Sequence, residues 1–373
     1  MRRRAIVIAA VAAVAVLAPF GMSGGQLTTA TFVVIAAIGA VGLNVLTGYT
    51  GQISLGHAFF LAAGAYTAAV LGGNHGVSAV IWIPAAGVVA ALCGVVVGPT
   101  AVRLRGLYLA IVTIGLVFIG QHILFNVTSL SGGPQGRAIP PVQLGGFDFS
   151  PGQVLRLGSV TIDHDGLYYY LALALLALSL AYVANLGRTR FGRAMQAVRD
   201  GELAAAVMGV DLTRTKLASF AISSFMAGVS GALFASYLSF VQPSQWNLLL
   251  SIQYLAAIIV GGIGTVWGPV VGSIFVFALP DILKSLPFVS QSGTGGVPLT
   301  DLTSIVYGVL IVVVFIAEPR GLVGLGSRLA AALSSSPQRR QAHDPASAPA
   351  LVRRRSGARL LARARRVWNR LEL

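Results

Sequence analysis

The chain has little charge, almost no lysine and a single cysteine. Only 10% of its 373 residues are Asp, Glu, Lys or Arg, against about a quarter in a soluble domain, so the wetted surface of a water-soluble fold is missing. Cys93 stands alone, which excludes an internal disulfide and any paired-cysteine metal site. Lysine occurs only at 216 and 284, neither after glycine, and this excludes a P-loop and ATP binding by that route. Neither HExxH nor GxSxG is present and the five histidines are scattered, so zinc and nucleophile-elbow chemistry have no footing. The expectation is a non-catalytic protein without a cofactor of its own.

What is present is apolar surface: 55% hydrophobic residues and a mean hydropathy of +0.81. Apolar runs fall near residues 5–21, 27–46, 54–72, 79–98, 107–126, 167–186, 215–239, 249–262, 266–283 and 302–317. Most approach the roughly 20 residues that carry a helix across a hydrocarbon core. Because they are continuously apolar rather than alternating, they predict helices and not a barrel. The expected fold is an all-α integral membrane protein of about ten transmembrane helices. With Arg2 to Arg4 in the cytoplasm, every Lys and Arg of the 26 except Arg137, Arg156 and Lys284 falls on the cytoplasmic side, which predicts both termini inside a bacterial inner membrane. The +15 net charge then reflects topology and a basic tail, and needs no nucleic acid. The N-terminal run reads as an uncleaved first helix, since a small-residue cleavage site at Ala13 to Ala15 would leave it too short. Residues 1–26 are assigned to the N-terminus and first helix, 27–326 to a permease core, and 327–373 to a basic low-complexity tail.

Acidic residues separate transport mechanisms, because ion coupling uses ionisable groups buried in the bundle. All eleven Asp and Glu fall in loops, tails or span ends, which disfavours an ion-coupled carrier and leaves it as the lesser alternative. The polar groups within the spans are neutral, and they concentrate at Asn44, Gln52, Ser54, His57 and Tyr66. Gly48, Gly51 and Gly56 interrupt the helix pattern there, and Gly261, Gly262 and Gly264 do so near the eighth and ninth runs. Paired interruptions predict an internal repeat with broken helices and a substrate path near the bilayer midplane. Gly264, Gly268 and Gly272 read as one smooth helix ridge.

Three segments face water. Residues 127–166 form an external loop long enough to meet a partner. Residues 187–214 predict two short helices: Phe191, Met195 and Val198 fall at helical spacing, Asp200 and Asp211 offer caps, and Gly209 offers a stop. Ala204, Ala205 and Ala206 give a small-residue face suited to docking. Near the end of the chain, Leu360, Leu361, Ala364, Val367, Trp368 and Leu371 fall at a spacing that suits either a helix lying on an anionic lipid surface or, equally, no helix at all but a disordered basic extension.

Five stretches together resemble permeases of the branched-chain amino-acid ABC importers, in the form of their M-type subunit. They are LNVLTGYTGQISLGHAFFLAAGAYTAA from Leu43, RLRGLYLAIVTIG from Arg103, GRAMQAVRDGELAAAVMGVDLTRTKLASFAISS from Gly192, VGGIGTVWGPVVG from Val260 and EPRGLVGL from Glu318. The resemblance implies a homologous H-type permease beside this subunit, two cytoplasmic ATPases that bind the ATP, and an extracytoplasmic substrate-binding protein. It implies a branched-chain or related small amino acid as cargo, with urea or short amides as the alternative. ELAAAVMG is similar to the EAA loop through which such permeases engage their ATPases, which marks Glu202, Ala204, Ala205 and Gly209. Leu203 stands where the shorter pattern has alanine.

Overall fold

A computed structural model describes residues 2–284, except 105, 140, 145–146, 151–154 and 158–159, together with short pieces at 289–290, 297–298, 305–306, 308–309 and 321–324. Residues 1–325 form one compact unit. The expected tenth span at 302–317, Glu318 and the tail helix at 360–371 lie essentially outside the described residues.

The apolar runs fold as helices: α1 Arg2–Leu17, α2 Gly24–Asn44, α3 His57–Ala68, α4 Ala79–Arg103, α5 Leu107–Asn126, the single turn α6 Thr128–Ser131, α7 His164–Leu186, α8 Arg190–Asp200, α9 Glu202–Val207, α10 Leu212–Tyr237, α11 Leu248–Gly261, α12 Gly268–Phe277 and α13 Leu279–Lys284. Among the described residues, six helical segments are long and apolar enough to cross a membrane, namely Gly24–Tyr49, Ala79–Thr100, Leu107–Asn126, His164–Leu186, Leu212–Tyr237 and Pro243–Gly261. The third apolar run yields less than a full span, because the chain stays irregular up to Gly56 and α3 has only 12 residues before it widens into a π turn over Ala69–Asn74.

Packing centres on α10, which lies against α2, α3 and α4, while α2 also meets α7, α11 and α12. Small residues set these approaches. A side chain on Gly64 would strike the backbone of Gly228, one on Gly231 the backbone of Leu61, and one on Gly94 the Ser224 side chain. The outer faces of α4 and α5 instead expose Ile81, Val88, Leu92, Val96, Ile111, Phe118 and Ile119. That apolar surface is costly in water and neutral against lipid, so the chain is a multi-pass membrane protein.

Arg188, Arg190, Arg193 and Arg199 lie on or just before α8, Arg214 and Lys216 at the start of α10, and Arg103 at the end of α4, which marks a basic end of the bundle beside α8 and α9. At the other end Asp165 accepts from Tyr237 Oη at 2.9 Å and from Thr28 Oγ1 at 3.2 Å. Arg137–Ala138 pairs antiparallel with Phe240–Val241 there. The expected long loop carries two small hairpins, Gln143–Leu144 with Phe147–Asp148 and Leu155–Leu157 with Val160–Ile162.

Candidate functional site: two helix breaks and a basic-end hairpin

The first break follows α2. The helix does not stop at its glycines but continues through a π turn over Val45–Tyr49, and regular structure then lapses until His57. Gly51 takes φ +70° here, a conformation open to glycine at little cost. Gly24 to Asn44 already spans about 30 Å at 1.5 Å per residue, so the break lies in the half of the bundle next to α8. Gln52, Ser54 and His57, expected on an interrupted helix, lie in and at the end of this break. The second break separates α11 from α12 at residues 262–267, with Gly262 at φ 122° and Gly264 at φ 77°. Gly264 therefore belongs to the break and not to a helical glycine ridge, whereas Gly268 and Gly272 do pack closely against Gly261 and Ala257 of α11.

Asn44 joins the two breaks. Its Nδ2 donates to the Thr265 carbonyl at 2.8 Å, and its Oδ1 accepts from the Gly264 amide at 2.8 Å. Gly48 backs directly onto Gly264: a Cβ there would lie 2.6 Å from the Gly264 nitrogen.

Within the first break, Gln52 Nε2 donates to Thr50 Oγ1 at 3.1 Å and to Ser219 Oγ of α10 at 3.0 Å. Ser54 Oγ accepts from the Gly56 amide at 3.3 Å, and Thr113 Oγ1 of α5 accepts from the Leu55 amide at 3.0 Å. The His57 ring lies 4.9 Å from that of Tyr254 of α11, tilted at 53° to it, and the next amide, Ala58, donates to Ser251 Oγ at 3.0 Å. Asn44, Gln52, Ser54, His57 and Tyr66 are all buried. The structure brings the first four to one junction of α2, α3, α5, α10 and α11. Tyr66 stands apart, beside an apolar cavity of about 420 Å³ that Phe59, Ala62, Cys93, Gly120 and Leu124 also line. Three buried polar atoms, Gln52 Oε1, His57 Nε2 and Tyr66 Oη, have no hydrogen-bond partner among the described residues. Buried polar groups in a finished core are normally satisfied, so these atoms have hydrogen-bonding capacity left, as do Ser224 Oγ, Trp246 Nε1 and Ser273 Oγ elsewhere in the bundle.

At the basic end, α8 and α9 form a hairpin. Thr189 caps α8 by accepting from the Gly192 amide at 3.1 Å. Met195 and Val198 are buried and Phe191 packs beside them, as the spacing predicted. Asp211 caps α10 by accepting from the Arg214 amide at 3.0 Å. The N-cap of α9 is Gly201, not Asp200, and the helix ends at Val207, with Gly209 at φ +85°.

The expected small-residue face is divided: Ala204, Ala206 and Gly209 are exposed and Ala205 is buried. Glu202 points inward, its Oε1 2.7 Å from the Lys216 ammonium, whose side chain is only 2% exposed. Ala205, one turn on, is 4% exposed and packed within the chain. A helix this short shows one side to solvent, and the Glu202–Lys216 pair fixes which. Ala204 and Gly209 remain exposed, but the outward surface is dominated by Leu203, Val207 and Met208 at 74%, 88% and 85%. Sequence reasoning missed these three, although apolar residues at i, i+4 and i+5 in a polar segment were a legible signal. It also missed Arg199, Lys216 and Ser219.

A profile of the branched-chain amino acid transport system permease component matches residues 25–315. The chain belongs to this permease family. It is 34% identical over 334 residues to the high-affinity branched-chain amino acid transport system permease protein LivM of Salmonella typhimurium, covering 86% of this chain and 75% of that one. LivM of Escherichia coli is 33% identical over the same shares. A probable branched-chain amino acid transport permease protein, LivH, of Methanocaldococcus jannaschii is 24% identical over 77% of this permease and 87% of its own length. No solved structure matches. The matched region contains both breaks, Asn44 and the α8–α9 hairpin.

Proposed function

We propose that this permease is the membrane subunit of an ATP-driven importer that brings branched-chain amino acids into the bacterial cytoplasm. The observation that carries the reading is the family match over residues 25–315 together with a third identity to LivM across most of both chains. The chain crosses the inner membrane about ten times with both termini inside, as its basic residues favour, and residues 27–326 form the working core. The basic end is then cytoplasmic. Without a nucleotide site, the permease receives work by contact: one of the two ATPases docks on the α8–α9 hairpin through Leu203, Ala204, Val207, Met208 and Gly209, with Glu202 and Ala205 holding α9 in place from behind. A homologous permease completes the pore and an extracytoplasmic binding protein delivers the substrate.

The path runs past the junction of the breaks. Asn44 holds it shut, and Gln52, Ser54, His57 and Tyr66 supply neutral polar contacts that suit a zwitterion without trapping it. The test is growth of a leucine auxotroph lacking its own importer on limiting leucine, with the permease expressed beside its partner subunits. Growth that depends on the permease supports the reading, and growth unchanged by its omission removes it.

A further inference from the structure

In the wide turn that ends α2 the Leu46 and Thr47 carbonyls accept from the Gln52 and Gly51 amides, and beyond them Gly48 stands at the C-terminal end of the helix, the negative end of its dipole. Arg199, near the end of α8, reaches across 151 residues of sequence to donate from Nη1 to the Gly48 oxygen at 2.8 Å. The same guanidinium lies against the second break: a Cβ built on Gly264 would be 2.9 Å from Arg199 Nη1, and one on Gly51 would be 3.0 Å from Arg199 Cγ. Both breaks and the hairpin thus meet at one side chain. Asp200 holds the guanidinium from the side, with its Oδ1 3.3 Å from Arg199 Nε.

We propose that Arg199 is the positioning residue that transmits movement of the α8–α9 hairpin to the Gly48–Gly264 junction and so opens the path clasped by Asn44. Two features suit it to the task. Arg199 lies on α8, which packs against α9 across the Gly201 bend, so a displacement of the hairpin carries it along. The group it holds is backbone, where the two breaks touch without intervening side chains, so a small shift of the guanidinium separates them directly. A lysine in its place keeps the charge and one donor but loses the planar fork that can bridge Gly48 and Asp200 together.

The inference rests on the importer reading, and its test separates the two. The full complex with wild-type permease, its partner permease, ATPases and binding protein is reconstituted in proteoliposomes. Wild-type liposomes that hydrolyse ATP without taking up radiolabelled leucine would defeat the importer reading itself. Given wild-type transport, Arg199→Gln is expected to leave ATPase co-purification and binding-protein-stimulated hydrolysis within about twofold of wild type, the range of an ordinary surface change. Leucine uptake per ATP hydrolysed should fall about tenfold or more, the scale of one lost charge-assisted hydrogen bond. Arg199→Lys should recover part of that ratio. Co-purification and hydrolysis falling in step with uptake would make Arg199 a docking contact, and a lower yield of complex with an unchanged ratio would make it a structural one. Either result overturns the proposal.

Discussion

Glu202→Gln isolates the role of the buried ion pair. The substitution keeps shape and removes the charge that faces Lys216 at 2.7 Å, leaving an ammonium on a side chain only 2% exposed. Removing one member of a fully buried pair costs about 3–5 kcal/mol, mostly from the charge left behind. Glu202 itself is 22% exposed, so water screens part of the interaction and a loss of ~2 kcal/mol is the better figure. Because Glu202 is the first residue of α9, the loss should fall on docking of that helix against α10 rather than on the bundle as a whole. Local opening free energy is read by amide hydrogen exchange. The peptide spanning residues 202–210 should exchange about 30-fold faster, from ~2 kcal/mol at about tenfold per 1.4 kcal/mol, while peptides of α2, α4 and the middle of α10 stay unchanged. Combining it with Lys216→Met, which removes the stranded charge, should restore most of the protection. Unchanged exchange in Glu202→Gln, or a double variant as labile as the single one, would refute the claim that this pair fixes the face α9 presents.

Three further outcomes follow from the same geometry. Asn44→Ala removes both clasping hydrogen bonds and strands a buried amide and carbonyl, so thermal unfolding of the purified permease should show a loss of about 2–4 kcal/mol; an unchanged melting temperature would mean the two breaks are held some other way. Val207→Asp should abolish co-purification of the ATPases while leaving permease yield intact, whereas Ala205→Trp should lower permease stability itself by about 1–3 kcal/mol through overpacking; equal yields for the two variants would contradict the orientation of α9. Gly64→Val drives a side chain into the Gly228 backbone, so properly folded protein recovered by size-exclusion chromatography should fall sharply, and normal recovery would mean α3 and α10 do not cross there.

Much of the fold was written locally. Continuous apolar runs became helices, the Phe191, Met195 and Val198 spacing became the buried face of α8, and Asp211 became a cap, because each depends on neighbours within a few residues. The glycines at 48–56 and 261–264 also marked the breaks correctly, since positive φ at Gly51, Gly262 and Gly264 demands that residue type. What stayed hidden depends on distant partners. Asn44 meets Gly264 across 220 residues and Arg199 meets Gly48 across 151, and nothing in local periodicity encodes either. The inward turn of Ala205 is of the same kind: the alanines permit either rotation of α9, and Lys216, on another helix, selects one. The π turn that carries α2 past Gly48 was not legible either, since glycine content marks an interruption but not the form the backbone takes through it.

The central claim is that this permease imports branched-chain amino acids by work done elsewhere. It is met most directly by radiolabelled leucine uptake into proteoliposomes holding the permease, its partner permease and the ATPases, with the binding protein on the side opposite the ATPases and ATP on the ATPase side. The account predicts uptake that requires ATP and the binding protein and that persists when ionophores collapse proton and sodium gradients. Uptake by the permease without ATPases, driven by an ion gradient and abolished by the ionophore, would contradict it.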